Sequence, residues 1–232
     1  MLTFGSLFSG IGGIDLGLER AGMQCRWQSE IDPYASRVLA KHWPDIPNLG
    51  DVTEIDWRNV ERTDVVAGGY PCQPFSVAGR RQGANDPRHL WPYFRNAICV
   101  LRPRYALLEN VPGHLSLGFG HVLADLAKLG YDCRWDCIPA ASIGAPHRRN
   151  RLFAIATDTN QPRSQRRPRT TFQAWPNPKR HVRQGNWWST EPNVGRMANG
   201  IPARVDRLRG LGNAVVPQLA EHVARMIIQD TQ

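Results

Sequence analysis

No two cysteines in this chain stand at Cys-x-x-Cys spacing, and the five cysteines are an odd number. That excludes a fully paired disulfide framework, and no second ligand pair at zinc spacing follows Cys133 and Cys137. Cys133 and Cys137 alternate with Arg134 and Asp136 in a predicted strand, where they are expected to pack rather than hold a metal. No apolar run is long enough to cross a membrane, and no basic leader opens the sequence. The expectation is a cytoplasmic protein with no membrane partner. There is no internal repeat, which removes solenoids and propellers. Acidic residues are few: 20 Asp and Glu face 29 Lys and Arg, for a formal charge of +9 and a pI near 9.9. Such a balance points to an anionic partner, nucleic acid first, although a basic surface alone would produce it too.

What is present is 232 residues, 41% of them apolar, enough for one domain with its own core. Strands are predicted over residues 2–8, 26–30, 65–67, 105–108, 131–138 and 151–156. Helices are predicted over 14–21, 33–42, 90–101, 121–129 and 217–229. Strands alternating with helices predict an α/β fold, a doubly wound and mostly parallel sheet covered on both faces. The pattern breaks near Thr157. From Pro162 to Trp188 there are seven basic residues and no acidic one, with Phe172, Trp175, Trp187 and Trp188 among them. Residues 158–195 are therefore expected to form a small irregular insertion, with 1–157 and 196–232 forming the main domain. Regular structure is expected to resume near Asn213.

Four constellations carry chemistry. Gly68-Gly69-Tyr70-Pro71-Cys72-Gln73-Pro74-Phe75-Ser76 follows the short apolar run Val65-Val66-Ala67. The glycines and Pro71 end that strand in a sharp turn and present the Cys72 thiol at a sheet rim. A thiolate so placed is a strong nucleophile, though many free cysteines are only small buried hydrophobes. Phe8-Ser9-Gly10-Ile11-Gly12-Gly13 runs from a strand into a helix, where backbone N–H groups and the helix dipole favour an anionic group. Glu30, at the end of the next strand, can accept from a ribose diol, and Asp51 from an adenine amino group. A solvated strand end and a turn residue account for these two equally well. Glu109, in Leu108-Glu109-Asn110-Val111-Pro112-Gly113, is expected on the same sheet edge as Cys72, as an acid or as a structural carboxylate. Arg149 and Arg151 are two apart and share one face of an extended segment, suiting a phosphate and a carbonyl oxygen or simply a solvated basic strand.

Taken in order, these segments resemble the DNA cytosine-5 methyltransferase family. The resemblance rests on Phe8–Gly13, Glu30, Asp51, Pro71-Cys72-Gln73, Glu109-Asn110-Val111, Arg149-x-Arg151 and the late Gly212-Asn213-Ala214-Val215-Val216-Pro217. It covers residues 1–157 and about 195–230. The chain departs from the family in having His147 where Gln is usual, a compressed segment over residues 201–208, and a short region between the arginines and that segment.

The resemblance implies a Rossmann-like methyltransferase fold and S-adenosyl-L-methionine as cofactor. It implies that Phe8, Ser9, Gly10, Ile11, Gly12, Gly13, Glu30, Ile31, Asp51, Val52, Pro71, Asn213, Ala214 and Val215 line the cofactor site. Cys72, Glu109, Arg149 and Arg151 would be catalytic, with Arg151 on the cytosine O2 and Arg149 on a phosphate or orienting Glu109. Tyr70, Gln73, Ser76, Arg80, Arg81 and Asn110 would contact the substrate, and the loop carrying Arg80 and Arg81 would close over it. No metal is implied. The expected partners are double-stranded DNA and a cognate restriction endonuclease, with the enzyme acting as a monomer and residues 158–195 choosing the target. An RNA cytosine-5 methyltransferase of the same family is the nearer alternative, and a non-catalytic DNA-binding relative the more distant. A nicotinamide oxidoreductase would share the glycine turn and Glu30 but has no use for Cys72 with Glu109.

Overall fold

Six strands form one sheet in the order β2-β1-β3-β4-β6-β5. This computed structural model describes residues 1–71, 90–160 and 204–231, so Cys72, Gln73, Ser76, Arg80, Arg81 and nearly all of the 158–195 insertion lie outside the described residues. The strands are β1 (Thr3–Leu7), β2 (Gln24–Ser29), β3 (Val65–Gly68), β4 (Tyr105–Asn110), β5 (Tyr131–Pro139) and β6 (Asn150–Asp158). The helices are α1 (Gly13–Arg20), α2 (Pro33–His42), α3 (Trp91–Leu101), α4 (Phe119–Lys128), α5 (Arg204–Asn213) and α6 (Pro217–Gln229). Among the described residues no helix is long and apolar enough to cross a membrane.

The parallel pairs are β1 with β2, β1 with β3, and β3 with β4; β6 runs antiparallel to both of its neighbours. The sheet is thus mostly parallel, as the alternating pattern predicts. The reversal of β6 was not foreseen. Its consequence is functional, because the start of β6 comes to the edge where β4 ends: Asn110 pairs with Leu152.

Alternation along each strand divides the core in two. Phe4, Val65, Ala67, Tyr105, Leu107, Phe153 and Ile155 face α1 and α6. Leu7, Val66, Ala106, Leu108, Leu152, Ala154 and Ala156 face α3 and α4. Because side chains alternate strictly, one strand supplies both layers, and the central strands read as unbroken apolar runs. On the first face α1 and α6 approach so closely that a Cβ on Gly17 would lie 2.5 Å from the Cβ of Ala220 and 2.5 Å from the carbonyl of Pro217.

Helix α5 corrects the expectation that regular structure resumes only near Asn213. Its apolar residues Val205, Leu208 and Leu211 are exposed, and Gly210 and Gly212 interrupt it, so neither burial periodicity nor propensity marks it as a helix. Strand order reverses between β1 and β3, and the loops leaving these two strands therefore flank a crevice.

Candidate active site

The loop after β1 has left-handed backbone at Phe8 (φ 54°), Gly10 (φ 57°) and Gly12 (φ 82°). Phe8 is held there because its ring packs on Phe94, 6.3 Å away. The Ser9 N–H donates to the Ser29 carbonyl and its Oγ to the Ser6 carbonyl, which fastens the loop to the ends of β1 and β2. Glu30 stands one residue beyond β2, and its carboxylate accepts the Gly10 N–H and the Asp32 N–H, both at 2.7 Å. Asn48 accepts the Glu30 N–H and the Gly50 N–H, drawing the third loop alongside. Asp51 accepts the N–H and Oγ1–H of Thr53 through one oxygen, a short turn that holds its carboxylate outward. Val52 is buried beneath it, while Ile31 is left 67% exposed between Glu30 and Asp32.

Asp15 lies under this loop, wholly buried, accepting from Ser6 Oγ and Gln28 Nε2. Burial raises its pKa to about 6. The sequence reading missed it, although its helical phase sets it on the same face as Leu18, a carboxyl on an apolar stripe.

Carbonyl groups of the late Gly-Asn-Ala-Val segment close the other side. A Cβ on Gly13 would lie 2.5 Å from the Val215 carbonyl, so this segment lies directly against the start of α1. From α5, Gly210 faces Ile11, and Arg209 pairs with Asp32 at 3.4 Å. Asn213 thus ends, and Ala214 follows, a helix that meets the glycine loop at Ile11.

Glu109 is on β4, one residue from its end, and is 8% exposed. It pairs across the sheet with Phe153, and Arg151 is two residues before Phe153, hence on the same face. Arg151 Nε donates to Glu109 Oε1 at 2.9 Å. Burial pushes the Glu109 carboxyl up to about 7, against the opposing pull of the Arg151 and Arg149 charges. Gly69, in the turn that leads to Cys72, faces it directly: a Cβ there would lie 2.5 Å from Glu109 Oε2.

Three expected roles change. Arg149 does not share a strand face with Arg151; its backbone turns left-handed (φ 22°) just before β6 begins. Its guanidinium donates to the carbonyls of Leu211, Gly212 and Ala214, tying down the C-terminal end of α5, where helix carbonyls have no partner of their own. Arg151 is therefore the arginine that orients Glu109. Tyr70 was expected on the substrate, but it is 3% exposed and packed on Trp91 and Phe94. Asn110 was expected there as well, but it is buried and its Nδ2 donates to the Tyr70 carbonyl at 3.2 Å. Both are turned inward because the turn and the end of β4 need partners for their own polar groups.

The model of the C-5 cytosine-specific DNA methylase family matches residues 2–200. The chain belongs to that family. Among its relatives, the Type II methyltransferase M2.BsuMI of Bacillus subtilis (strain 168) is 36% identical over 167 residues, which is 68% of this chain and 42% of the relative. The Type II methyltransferase M.NgoMIV of Neisseria gonorrhoeae is 35% identical over 175 residues, 73% of this chain and 54% of the relative. The chain thus spans about half or less of the length of these relatives. A solved structure of a prophage-encoded E. coli protein, described as a DNA modification methyltransferase, superposes with a TM-score of 0.59 at 28% identity. It covers 74% of this chain and 52% of that one. Family and fold are those of the S-adenosyl-L-methionine-dependent methyltransferases.

Proposed function

We propose that the chain methylates C5 of a cytosine in double-stranded DNA, taking the methyl group from S-adenosyl-L-methionine. The observation that carries this reading is the Glu109–Arg151 pair, set on the turn that runs through Gly69 into Pro71-Cys72. A buried carboxyl with a pKa near 7, facing Gly69 three residues before the chain's candidate nucleophile, suits activation of a cytosine ring.

The residues also fit the methyl donor. Among the described residues nothing stands within 4 Å of where a Cβ on Gly10 or on Gly50 would be, so both the glycine loop and the third loop leave room beside their backbone. Glu30 and Asp51 border it with acceptors suited to a ribose diol and an adenine amino group, and exposed Ile31 offers an apolar wall to a flat ring. The donor supplies an electrophilic methyl carried on a sulfonium.

Cytosine C5 is a weak nucleophile until the ring is activated. The Cys72 thiolate adds to C6, and the ring charge this creates is relieved by a proton that Glu109 delivers to N3. Arg151 holds the Glu109 carboxyl in line and keeps part of its population ionised, so the proton can be given and retrieved. C5, now enamine-like, takes the methyl carbon as that carbon's bond to the donor sulfur breaks, and the sulfur leaves as a neutral thioether. The C5 proton leaves to water, the C6–S bond breaks, the thiolate departs, and the N3 proton returns to Glu109. The ring faces are closed within a duplex, so the base must leave the stack. Residues 158–195 are the source of the phosphate and base contacts that offset this cost, on the strength of their seven basic residues and interleaved aromatics.

The test is transfer of tritiated methyl from the donor to duplex DNA and to transfer RNA in parallel. Label at cytosine C5 in DNA, lost in Cys72→Ala with cofactor binding retained, supports the reading. Label confined to RNA makes the chain an RNA methyltransferase, and label in neither overturns the proposal.

A further inference from the structure

We infer that Tyr70 and His114 form a positioning anchor that sets the direction in which the chain leaves β3 toward the nucleophile; this inference rests on the function proposed above. The Tyr70 hydroxyl and His114 Nε2 are 2.7 Å apart, and both residues are almost fully buried, at 3% and 1% exposed. Burial raises the Tyr70 phenol further above its ordinary range, so the hydrogen bond joins a neutral phenol to the imidazole. His114 lies in the 3-10 turn Pro112–Ser116, five residues beyond Glu109. The bond therefore joins the segment that leads to the proposed nucleophile to the turn that follows the strand of the proposed acid.

Its setting makes it more than a core contact. Asn110 Nδ2 holds the Tyr70 carbonyl, and Asn110 Oδ1 accepts the Val111 N–H, so Tyr70 is held at its backbone from the end of β4 and at its side-chain tip from the turn just beyond it. The Tyr70 ring packs at 5.5 Å against Trp91, the first residue of α3. The ends of the chain segment between Tyr70 and Trp91 are thereby brought together. Trp91 is in turn fastened to α4 through Nε1 and Asp125 Oδ2, and His114 packs on Phe119 at the start of α4. A side chain with two fixed ends cannot tilt without breaking one of these links. A tilt of about 1 Å two residues before a reacting atom can cost up to about a hundredfold in rate.

Tyr70→Phe, His114→Phe and the double variant separate positioning from stability, because each keeps an aromatic ring; Tyr70→Phe removes one hydroxyl, and His114→Phe exchanges the imidazole for a somewhat larger ring. Each single variant breaks the Tyr70–His114 bond from one side and lowers the melting midpoint; the double variant removes both polar ends and recovers part of it. A positioning role predicts that the single-turnover methyl-transfer rate falls about ten- to a hundredfold in all three, with cofactor affinity unchanged. Hydrogen exchange in the peptide spanning residues 66–78 should rise about tenfold in the double variant, the scale of one lost hydrogen bond. A rate that recovers with the melting midpoint in the double variant overturns the inference, as does unchanged exchange in that peptide. If the unmodified chain transfers methyl to no cytosine, the proposed function fails, and the exchange measurement alone then decides whether the anchor exists.

Discussion

At Glu109, burial and two arginines act on one carboxyl in opposite directions, and burial prevails. The sign of the consequence follows from linkage. Below pH 4.5 the carboxyl is protonated in folded and unfolded chains alike. Between 4.5 and about 7 the unfolded chain releases the proton while the folded chain keeps it, so stability falls as pH rises. The loss amounts to about 3 kcal/mol and is complete above the folded pKa. In Glu109→Gln this part of the pH dependence is expected to vanish, whereas Asp15, raised to about 6, contributes its own loss to both proteins. Urea midpoints at pH 4.5, 6 and 8 check this, and parallel curves for the two proteins contradict it. The same substitution should lower methyl transfer by about 10²–10⁴, the range for removing an acid–base group. Gly69→Ala examines the geometry without touching charge. The added Cβ comes within 2.5 Å of Glu109 Oε2, so the carboxylate must move off Arg151 or the turn must shift. The expected outcome is at least about a tenfold loss of single-turnover rate, since a small displacement of a reacting group is enough. The melting midpoint should fall by only a few degrees, corresponding to about 1 kcal/mol.

Elements were legible where they bury a stripe. Helix α6 was placed from Leu219, Val223, Met226 and Ile227, and strands β3 and β4 from their apolar runs, because burial imposes the pattern that a sequence displays. Helix α5 has no buried stripe and was missed. The direction of β6 was also hidden, because a strand buried on both faces looks the same in either orientation. That one reversal brings the start of β6 to the end of β4 and so Arg151 to Glu109, while the left-handed turn at Arg149 sends that arginine to α5. The inward turn of Tyr70 and Asn110 was illegible for a related reason: their partners, His114 and the Tyr70 carbonyl, are 44 and 40 residues away in sequence. Gly17, unlike the glycines of the loop before α1, faces α6. Gly17→Ala therefore puts a methyl against backbone and Ala220, not against space. In an open helix this change would stabilise by about 1 kcal/mol. Here overpacking is expected to prevail and to cost about 1–3 kcal/mol, lowering the melting midpoint by several degrees. A raised midpoint would mean that α1 and α6 separate easily.

For the molecule as a whole, charge and chemistry divide along the chain. The sheet edge carries the acid, its arginine and the open crevice, while residues 162–188 carry seven basic side chains and no acidic one, against a net charge of +9 for the whole chain. Binding that depends on neutralising phosphates releases counterions, so its strength falls with salt by about 0.9 in log K per log unit of salt for each phosphate contacted. Side chains that read base edges add little to that slope but fix one position of the target. Alanine replacement of Arg163, Arg166, Arg167, Arg169 and Arg183, one at a time, should therefore sort into two groups. Loss of a phosphate contact is expected to flatten the salt slope by about one and to weaken binding to every sequence alike. Loss of a base contact is expected to leave the slope unchanged and to relax the methylated sequence at one position, at about 1–3 kcal/mol of discrimination. Affinities at four salt concentrations, together with bisulfite sequencing of DNA methylated by each variant, give both readouts. If no variant changes either one, the basic stretch is only a solvated segment. Recognition then passes to the other basic segment, Arg80-Arg81-Gln82-Gly83, eight residues beyond Cys72.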